Sequence, residues 1–237
     1  MKVLAVVPAR CGSKGFPNKN IASIGGKTLL ELAVKVGIDC KIIDDLYIST
    51  DCKSYEDIAL IAGANSLGLR PEEFATDKAK SIDVIIDLLE KIEEEYEYIV
   101  LLQPTSPVRE PKDIELMIEK MQNSDADAIV SVVKLEEPHP YKLKAIDEDG
   151  NIRPFIDGTT SEVPRQSLPD AYALNGAIYV TRVNTILKEK TFLPHKTLPY
   201  VMSTNINIDS EEDFIFMKAM YESNKIKIYG VRNANNR

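Results

Sequence analysis

Residues 3 to 20 read VLAVVPARCGSKGFPNKN, a short apolar run followed by a loop that contains two glycines and three basic residues. The apolar run, residues 3–7, predicts a buried strand, and open α/β sheets bind ligands at the carboxyl ends of such strands. Small residues let backbone N–H groups approach phosphate oxygens, while Arg and Lys balance the phosphate charge. The loop therefore predicts a triphosphate-binding site, with a solvated turn that carries chance lysines as the alternative.

Short β-branched runs alternate with helix-period segments along most of the chain, which is typical of a parallel sheet covered by helices. The predicted strands are residues 3–7, 46–49, 99–103, 128–133, 177–180 and 200–202. The predicted helices, with apolar residues at i, i+3 and i+4, are residues 28–38, 55–62, 82–94, 112–121 and 211–221. We therefore expect an α/β fold with a doubly wound, mostly parallel sheet.

The alternation breaks between residues 134 and 174, where five prolines accompany the turn sequence DEDGN. So long a segment inside a compact domain is usually functional. We predict one α/β domain made of residues 1–133 and 175–230. Residues 134–174 would be inserted into it as a flap or dimerisation arm that holds a short hairpin.

Composition limits the classes of function. The net charge of −8, from 29 basic and 37 acidic residues, argues against general binding to nucleic acid or to an anionic membrane. Residues 1–30 nevertheless contain five basic residues and no acidic one, so an anionic ligand can be met locally. No apolar run approaches the roughly 18 residues of a membrane-spanning helix. The three cysteines form no CxxC pair and are expected to be free thiols, so a cytoplasmic protein is the simplest interpretation.

Two common nucleotide-binding motifs are missing. Gly26-Lys27-Thr28 has the ending of a Walker loop, but Ile21 stands where that loop requires glycine. The sequence contains no GxGxxG, which disfavours a dinucleotide-dependent enzyme.

Seven short motifs occur in an order and spacing that are specific when taken together. They are ARxGSKGxPxKN at residues 9–20, STD at 49–51, LRP at 69–71, LLQPTSPxR at 101–109, PRQ at 164–166, NGAIY at 175–179 and ID at 208–209. On these motifs the chain resembles the acylneuraminate cytidylyltransferases, the CMP-sialic acid synthetase family, over nearly its whole length. The resemblance implies a nucleotidyltransferase domain with the nucleotide-diphospho-sugar transferase fold. Kdo cytidylyltransferases typically have Ser-Thr-Arg in place of Ser13-Lys14-Gly15.

The resemblance implies a set of nucleotide-binding residues. The triphosphate contacts are Arg10, Ser13, Lys14 and Lys19, and the cytidine contacts are Asn20 and Arg70. The alternative is that Arg70 is an exposed loop residue in a turn that Pro71 fixes. Asp51 ends a predicted strand at the ligand edge of the sheet, where it could contact the ligand. A role as the N-cap of the next helix is at least as plausible.

The resemblance also implies sugar-binding residues. They are Gln103, Lys142, Arg165, Tyr179 and Phe192. Gln103 follows a buried strand and is fixed by prolines, while a guanidinium such as that of Arg165 can pair bidentately with a carboxylate. The alternatives are that Lys142 and Arg165 are solvated surface residues and that Tyr179 belongs to the core.

Asn207 and Asp209 alternate with two isoleucines, so in an extended segment their side chains share one face. The family usually has aspartate at both positions, binding Mg²⁺ (or Mn²⁺) that bridges the triphosphate. A carboxamide oxygen can still ligate a hard cation, but the site loses one negative charge. Asp209 with Glu212 also fits a capping box for the last helix.

The implied activity is transfer of CMP from CTP to the anomeric hydroxyl of a nine-carbon acidic sugar, by a homodimer. Arg10, Lys14 and Asp209 would be the catalytic residues. Sialic, legionaminic and pseudaminic acids are all candidate sugars; Ala173 and Leu174, where sialate-specific relatives often have a basic residue, favour a diamino relative of sialic acid. Two other hypotheses are a nucleotidyltransferase for another acidic sugar such as Kdo, and a catalytically impaired nucleotide-binding protein.

Overall fold

A computed structural model describes residues 1–76 and 79–232. Its strands are β1 (Val3–Pro8), β2 (Ser23–Ile24), β3 (Lys27–Thr28), β4 (Asp45–Ser49), β5 (Tyr98–Leu101), β6 (Ala128–Leu135), β7 (Lys144–Ile146), β8 (Ile152–Pro154), β9 (Ala171–Arg182) and β10 (Thr197–Met202). Its α-helices are α1 (Leu29–Ile38), α2 (Lys53–Ile61), α3 (Ser81–Lys91), α4 (Pro111–Gln122), α5 (Val183–Glu189) and α6 (Glu211–Glu222). Short 3₁₀ turns lie at Lys19–Ile21, Glu72–Phe74, Pro140–Lys142 and Arg165–Ser167.

The central sheet has six strands in the order β10-β6-β9-β5-β1-β4. All of them run parallel except β9, which is antiparallel to both of its neighbours, β5 and β6. The six predicted strands and the five predicted helices are present, which confirms the mostly parallel α/β fold. The sequence analysis did not predict α5, a helix of only seven residues.

The strand β1 is buried on both faces, which explains its uninterrupted apolar sequence. Val3, Ala5 and Val7 pack in one hydrophobic cluster with residues of α1, α2 and α4. Leu4 and Val6 point to the other face and pack with residues of α3 and α5. The alternation of side chains along the strand therefore places helices on both sides of the sheet.

The segment between β6 and β9 forms an arm, defined here as residues 136–170. Because β6 and β9 are antiparallel neighbours, they need no crossover helix, and this is why the strand–helix alternation breaks there. Within the arm β7 and β8 form a two-stranded antiparallel hairpin. Three large apolar side chains of the arm, Ile146, Ile152 and Phe155, are between 64% and 74% exposed.

No helix in the part of the chain that the structure describes is long and apolar enough to cross a membrane.

We predict that helix α1 requires a glycine at its contact with β4. A Cβ atom on Gly37 would overlap Leu46 Cδ1 and would lie 3.2 Å from Leu102 Cδ1. Gly37→Ala should lower the free energy of unfolding by about 1–3 kcal/mol in urea titrations, because overpacking outweighs the roughly 1 kcal/mol gained in helix propensity. Leu46→Ala alone should cost about 2–5 kcal/mol.

The double variant tests the mechanism, since the alanine methyl would then occupy space that Leu46 has vacated. Its destabilisation should be smaller than the sum of the single variants. Additivity within about 0.5 kcal/mol would contradict the proposed contact.

Candidate active site

A pocket of about 430 Å³ lies at the carboxyl edge of the sheet, beside the loop that follows β1. Every residue that the sequence analysis assigned to the nucleotide lines it, together with three residues assigned to the sugar or the metal. These residues are Arg10, Ser13, Lys14, Lys19, Asn20, Arg70, Gln103, Asn207 and Asp209. Among the described lining residues there are four cationic side chains and one carboxylate, so this pocket suits an anionic ligand.

The loop after β1 is fixed by contacts with distant parts of the chain. Lys19 Nζ donates hydrogen bonds to Ile208 O at 3.2 Å and to Asp209 Oδ1 at 2.9 Å. A Cβ atom on Gly15 would lie 3.0 Å from Asp209 O, so the loop backbone approaches this segment closely. The side-chain amide nitrogen of Asn20, Nδ2, donates a hydrogen bond to Arg10 O at 3.0 Å, within the same loop.

Arg70 is a buried part of the pocket and not an exposed turn residue, since its side chain is 6% exposed. Burial lowers the pKa of its guanidinium, and the carboxylate of Asp51, 3.8 Å away, partly opposes that shift. Its Nε has no hydrogen-bond partner among the described residues. An unpaired buried donor of this kind is available to a bound ligand.

Asp51 contacts both the loop after β1 and Arg70, and it does not cap a helix. Its Oδ1 accepts a hydrogen bond from Cys11 N at 2.8 Å and faces Arg70. The N-cap of α2 is Cys52, so the prediction that Asp51 caps this helix is wrong. Helix α2 begins at Lys53, so Asp51 lies one residue before the N-cap, and its carboxylate accepts from the loop after β1 instead.

Gln103, Tyr179 and Phe192 line a second pocket, of about 370 Å³. The two pockets share Gln103 and Ser81, so they adjoin. The rings of Tyr179 and Phe192 are 5.7 Å apart, and burial raises the pKa of Tyr179. An apolar and aromatic wall beside a basic pocket can hold the non-reacting face of a second substrate.

The second pocket has further lining residues that the sequence analysis did not assign to it. They are Lys80, Ser81, Ile82, Leu101, Leu174, Lys190, Thr191 and Leu193. Lys190 has a left-handed backbone conformation and ends α5, the helix that was not predicted.

Lys142 and Arg165 lie on the arm and line neither of these two pockets. Lys142 Nζ is 3.0 Å from Glu137 Oε1, and Arg165 Nη2 is 3.1 Å from Glu136 Oε2. Both pairs are largely exposed, so they contribute little to stability. One copy of the chain therefore brings together all the predicted site residues except these two.

Asn207 and Asp209 lie side by side at the edge of the first pocket. Asn207 Nδ2 donates to Asp209 Oδ2 at 2.8 Å, and Ser106 Oγ donates to Asn207 Oδ1 at 3.1 Å. Asp209 is 70% exposed. No group of three His, Cys, Asp or Glu side chains that could hold a metal ion occurs within residues 1–76 and 79–232. A hard cation at Asp209 would therefore need further oxygen ligands from a substrate, which is the usual way that proteins hold Mg²⁺.

The predicted capping box of Asp209 and Glu212 is wrong. The N-cap of α6 is Ser210, whose hydroxyl accepts from Asp213 N while the Asp213 carboxylate accepts from Ser210 N. Asp213 Oδ2 also accepts from Asp209 N, and these hydrogen bonds lower the pKa of Asp213. Asp209 lies one residue outside the cap, so its carboxylate remains turned to the pocket.

Arg109 holds together two backbone segments next to the site. The sequence analysis did not assign this role to it. It is buried, and its Nη1 donates to Gln103 O at 2.8 Å and to Ala177 O at 2.7 Å. Burial lowers its pKa to about 9, which leaves it charged at neutral pH. It joins the segment after β5 to the middle of β9, where Gly176, with φ of +71°, leaves room for the Gln103 amide.

The comparison with known proteins identifies the family. A family model described as cytidylyltransferase matches residues 4–228. The N-acylneuraminate cytidylyltransferase of Streptococcus agalactiae is 34% identical over 219 residues, which are 91% of this chain and 52% of that protein. The CMP-N,N'-diacetyllegionaminic acid synthase of Legionella pneumophila is 33% identical over 232 residues, 95% of this chain and 98% of that protein.

A solved structure of CMP:2-keto-3-deoxy-manno-octonic acid synthetase in complex with CTP has a TM-score of 0.71 and 16% identity, and it covers 94% of this chain and 100% of its own. This likeness shows that the chain has the fold of that nucleotidyltransferase. The chain is a member of the cytidylyltransferase family. It spans about half the length of the streptococcal relative and nearly all of the legionellal one.

Proposed function

We propose that this protein transfers CMP from CTP to the anomeric hydroxyl of a nine-carbon 2-keto acidic sugar and releases pyrophosphate. The observation that carries the proposal is the pair of adjoining pockets in a cytidylyltransferase chain. One pocket is lined by Arg10, Lys14 and Arg70, and the other by Tyr179 and Phe192. They meet at Gln103, where the two substrates would react.

The reaction needs positioning and charge stabilisation more than covalent catalysis. The sugar hydroxyl attacks the α-phosphorus in line and pyrophosphate leaves, with no enzyme-bound covalent intermediate. Arg10 and Lys14 stabilise the charge that develops on the phosphates, and Ser13 and Lys19 hold the loop and the leaving group. Arg70 offers a buried donor to the acceptor atoms O2 and N3 of cytosine, whereas uracil presents an N3–H.

We propose that Asp209 is the protein carboxylate that holds Mg²⁺ or Mn²⁺ together with phosphate oxygens. The ion would supply Lewis-acid stabilisation of the phosphate charge. Asn207 supports it as a neutral neighbour, and its orientation is set by Ser106.

The sugar class follows from both pockets and from the relatives. Leu174 presents an apolar side chain to the sugar pocket, which suits an acylated substituent better than a charged one. A diamino relative of sialic acid, such as legionaminic or pseudaminic acid, is therefore favoured over sialic acid itself, and the matches to a legionaminate and a pseudaminate relative over nearly their whole lengths agree with this choice. The structural likeness to the CMP:2-keto-3-deoxy-manno-octonic acid synthetase concerns the fold alone.

We propose a homodimer in which the arm of each subunit covers the partner's sugar pocket. The exposed side chains of Ile146, Ile152 and Phe155 would be buried in such an assembly. Lys142 and Arg165, which line neither the nucleotide pocket nor the sugar pocket of their own chain, would then reach the sugar carboxylate of the other subunit. Three unbonded thiols and the use of CTP fit a cytoplasmic enzyme.

Pyrophosphate release tests the activity. Turnover should require CTP, with UTP and ATP poor substitutes, and legionaminic, sialic and pseudaminic acids should be compared side by side. Lys14→Ala should lower kcat by about 10²-fold or more, the scale for loss of one preorganised charge. Lys27→Ala is the matched control, because Lys27 is exposed and pairs with Glu31 outside the pocket. Binding of CTP without any turnover would support the impaired-protein hypothesis instead.

Mg²⁺ titrations of turnover test the metal site. Asp209→Asn should nearly abolish turnover, and Asn207→Asp should lower the Mg²⁺ concentration for half-maximal rate, by on the order of 1 kcal/mol in binding free energy. Ser210→Ala is the control for the cap: it should lower the melting temperature through a loss of about 0.5–2 kcal/mol, while Asp209→Asn leaves that temperature nearly unchanged. Full activity of Asp209→Asn would remove Asp209 from the metal site.

Disruption of the arm tests the dimer. Phe155→Asp should give a monomer in light scattering and raise the sugar KM far more than the CTP KM, because Lys142 and Arg165 are withdrawn from the partner's site. Ile61→Asp is the control, since Ile61 is 88% exposed on α2, away from the arm. Arg165→Ala should raise the sugar KM about 10- to 150-fold, and Arg165→Lys should recover only part of it.

If the sugar carboxylate is bound within one chain, Lys190→Ala should raise the sugar KM and Arg165→Ala should not. That result would contradict the role proposed for the arm.

A further inference from the structure

Two of the three cysteines lie side by side next to the nucleotide pocket. Strands β1 and β4 are parallel neighbours in which Pro8 is paired with Ser49, and Cys11 and Cys52 each lie three residues beyond that pair. The chains stay together past the strands, since Ala9 N donates to Ser49 O at 3.0 Å and Cys11 N donates to Asp51 Oδ1 at 2.8 Å. Cys11 and Cys52 consequently lie near each other, beside the loop that lines the nucleotide pocket.

The two thiols differ in their surroundings. Cys52 is the N-cap of α2, and its Sγ lies 3.1 Å from Ser54 Oγ. Burial disfavours ionisation of Cys52, but hydrogen bonds from Ser54, from the backbone of Tyr55 and from Cys11 prevail, so its pKa is lowered. The hydrogen bond to Cys52, with burial, raises the pKa of Cys11. A thiol at a helix N-terminus beside a protonated thiol is the arrangement in which cysteines react as a pair.

We propose that Cys11 and Cys52 form a reversible disulfide when the protein meets a hydroperoxide, and that this disulfide weakens nucleotide binding. The Cys52 thiolate attacks the hydroperoxide, the O–O bond breaks, and a sulfenic acid forms. The Cys11 thiol then attacks the sulfenic sulfur, and its proton leaves with the hydroxyl group as water. With hydrogen peroxide, two thiols and one peroxide give one disulfide and two waters.

The spacing of the strands that lead into the two cysteines is compatible with the bond. Disulfides need Cα atoms about 4.4–6.8 Å apart, and neighbouring strands such as β1 and β4 are about 4.8 Å apart. Gly12 has φ of +73°, and a Cβ atom added to it would meet no other atom within 4 Å, so the chain after Cys11 has room to adjust.

The bond also changes the pocket. Its sulfur atoms would be about 2.05 Å apart, so we expect the bond to draw the loop that carries Cys11 towards the N-terminus of α2. Arg10 precedes Cys11, and Ser13 and Lys14 follow it, so the movement displaces groups that line the nucleotide pocket. Displacements of about 1 Å in a preorganised site lower its efficiency as much as 10²-fold. The effect on CTP rests on the proposed function, whereas formation of the bond does not.

Cys40 provides an internal control. It is buried, its thiol lies 3.6 Å from Pro111 O, and burial raises its pKa. It should stay reduced under conditions that join the other two cysteines.

The test treats the reduced full chain with hydrogen peroxide and analyses it by peptide mass spectrometry without reduction and by CTP titration calorimetry. We expect the peptides containing Cys11 and Cys52 to be linked and two hydrogen atoms lighter, and the CTP dissociation constant to rise about 10-fold or more. Dithiothreitol should restore it. Cys11→Ser and Cys52→Ser should each lose this response relative to their own untreated samples, and Cys40→Ser should keep it.

Two results would overturn the proposal: separate over-oxidation of the two cysteines without a linked peptide, or a linked peptide with unchanged CTP affinity. If the reduced protein did not bind CTP at all, the proposed function would fail. The linked peptide would still decide whether the disulfide forms, and its absence would overturn the proposal independently of CTP.

Discussion

The ammonium group of Lys19 joins two parts of the chain that are 190 residues apart in sequence, where it donates to Asp209 Oδ1, and the arrangement of the site depends on the contacts of this group. The same ammonium group holds Ile208 O, and Ile208 N in turn donates to Thr105 O at 2.8 Å. The loop after β1, the loop after β5 and the segment before α6 are thereby fixed to one another. Each contributes groups to the pocket, so the site forms only when the fold is nearly complete.

Charge is distributed to match this arrangement. A chain with a net charge of −8 concentrates cations around a pocket in which Asp209 is the one carboxylate among the described lining residues. Arg70 and Arg109 are both largely buried, where desolvation is costly, and each is compensated differently. Arg70 faces Asp51, while Arg109 is held by two backbone carbonyl groups. Fixed positive groups need no rearrangement when a polyanion arrives, which is the requirement for electrostatic stabilisation.

Apolar periodicity in the sequence was sufficient to predict the sheet and its helices, and the family resemblance supplied the residues gathered in the first pocket. The sequence was not sufficient to predict which residues are the N-caps of the helices. Whether Asp209 or Ser210 caps α6 depends on where the backbone first becomes helical, a difference of one residue that periodicity does not resolve. It also missed α5, too short to show a period, and Arg109, whose burial depends on contacts with Ala177 from a distant strand. Lys142 and Arg165 were predicted from the family resemblance, but the role proposed for them depends on a second copy of the chain.

The antiparallel strand β9 has a consequence for how such a protein can vary. Because the arm starts and ends on adjacent strands, its length and composition can change without altering the order of the sheet. Loop-closure entropy rises only slowly with length, so such changes have little effect on stability. The loop after β1 has no such freedom, since its backbone is fixed at Gly15 and Lys19. The groups that line the first pocket are thus fixed to the sheet, whereas the arm can diversify without displacing them.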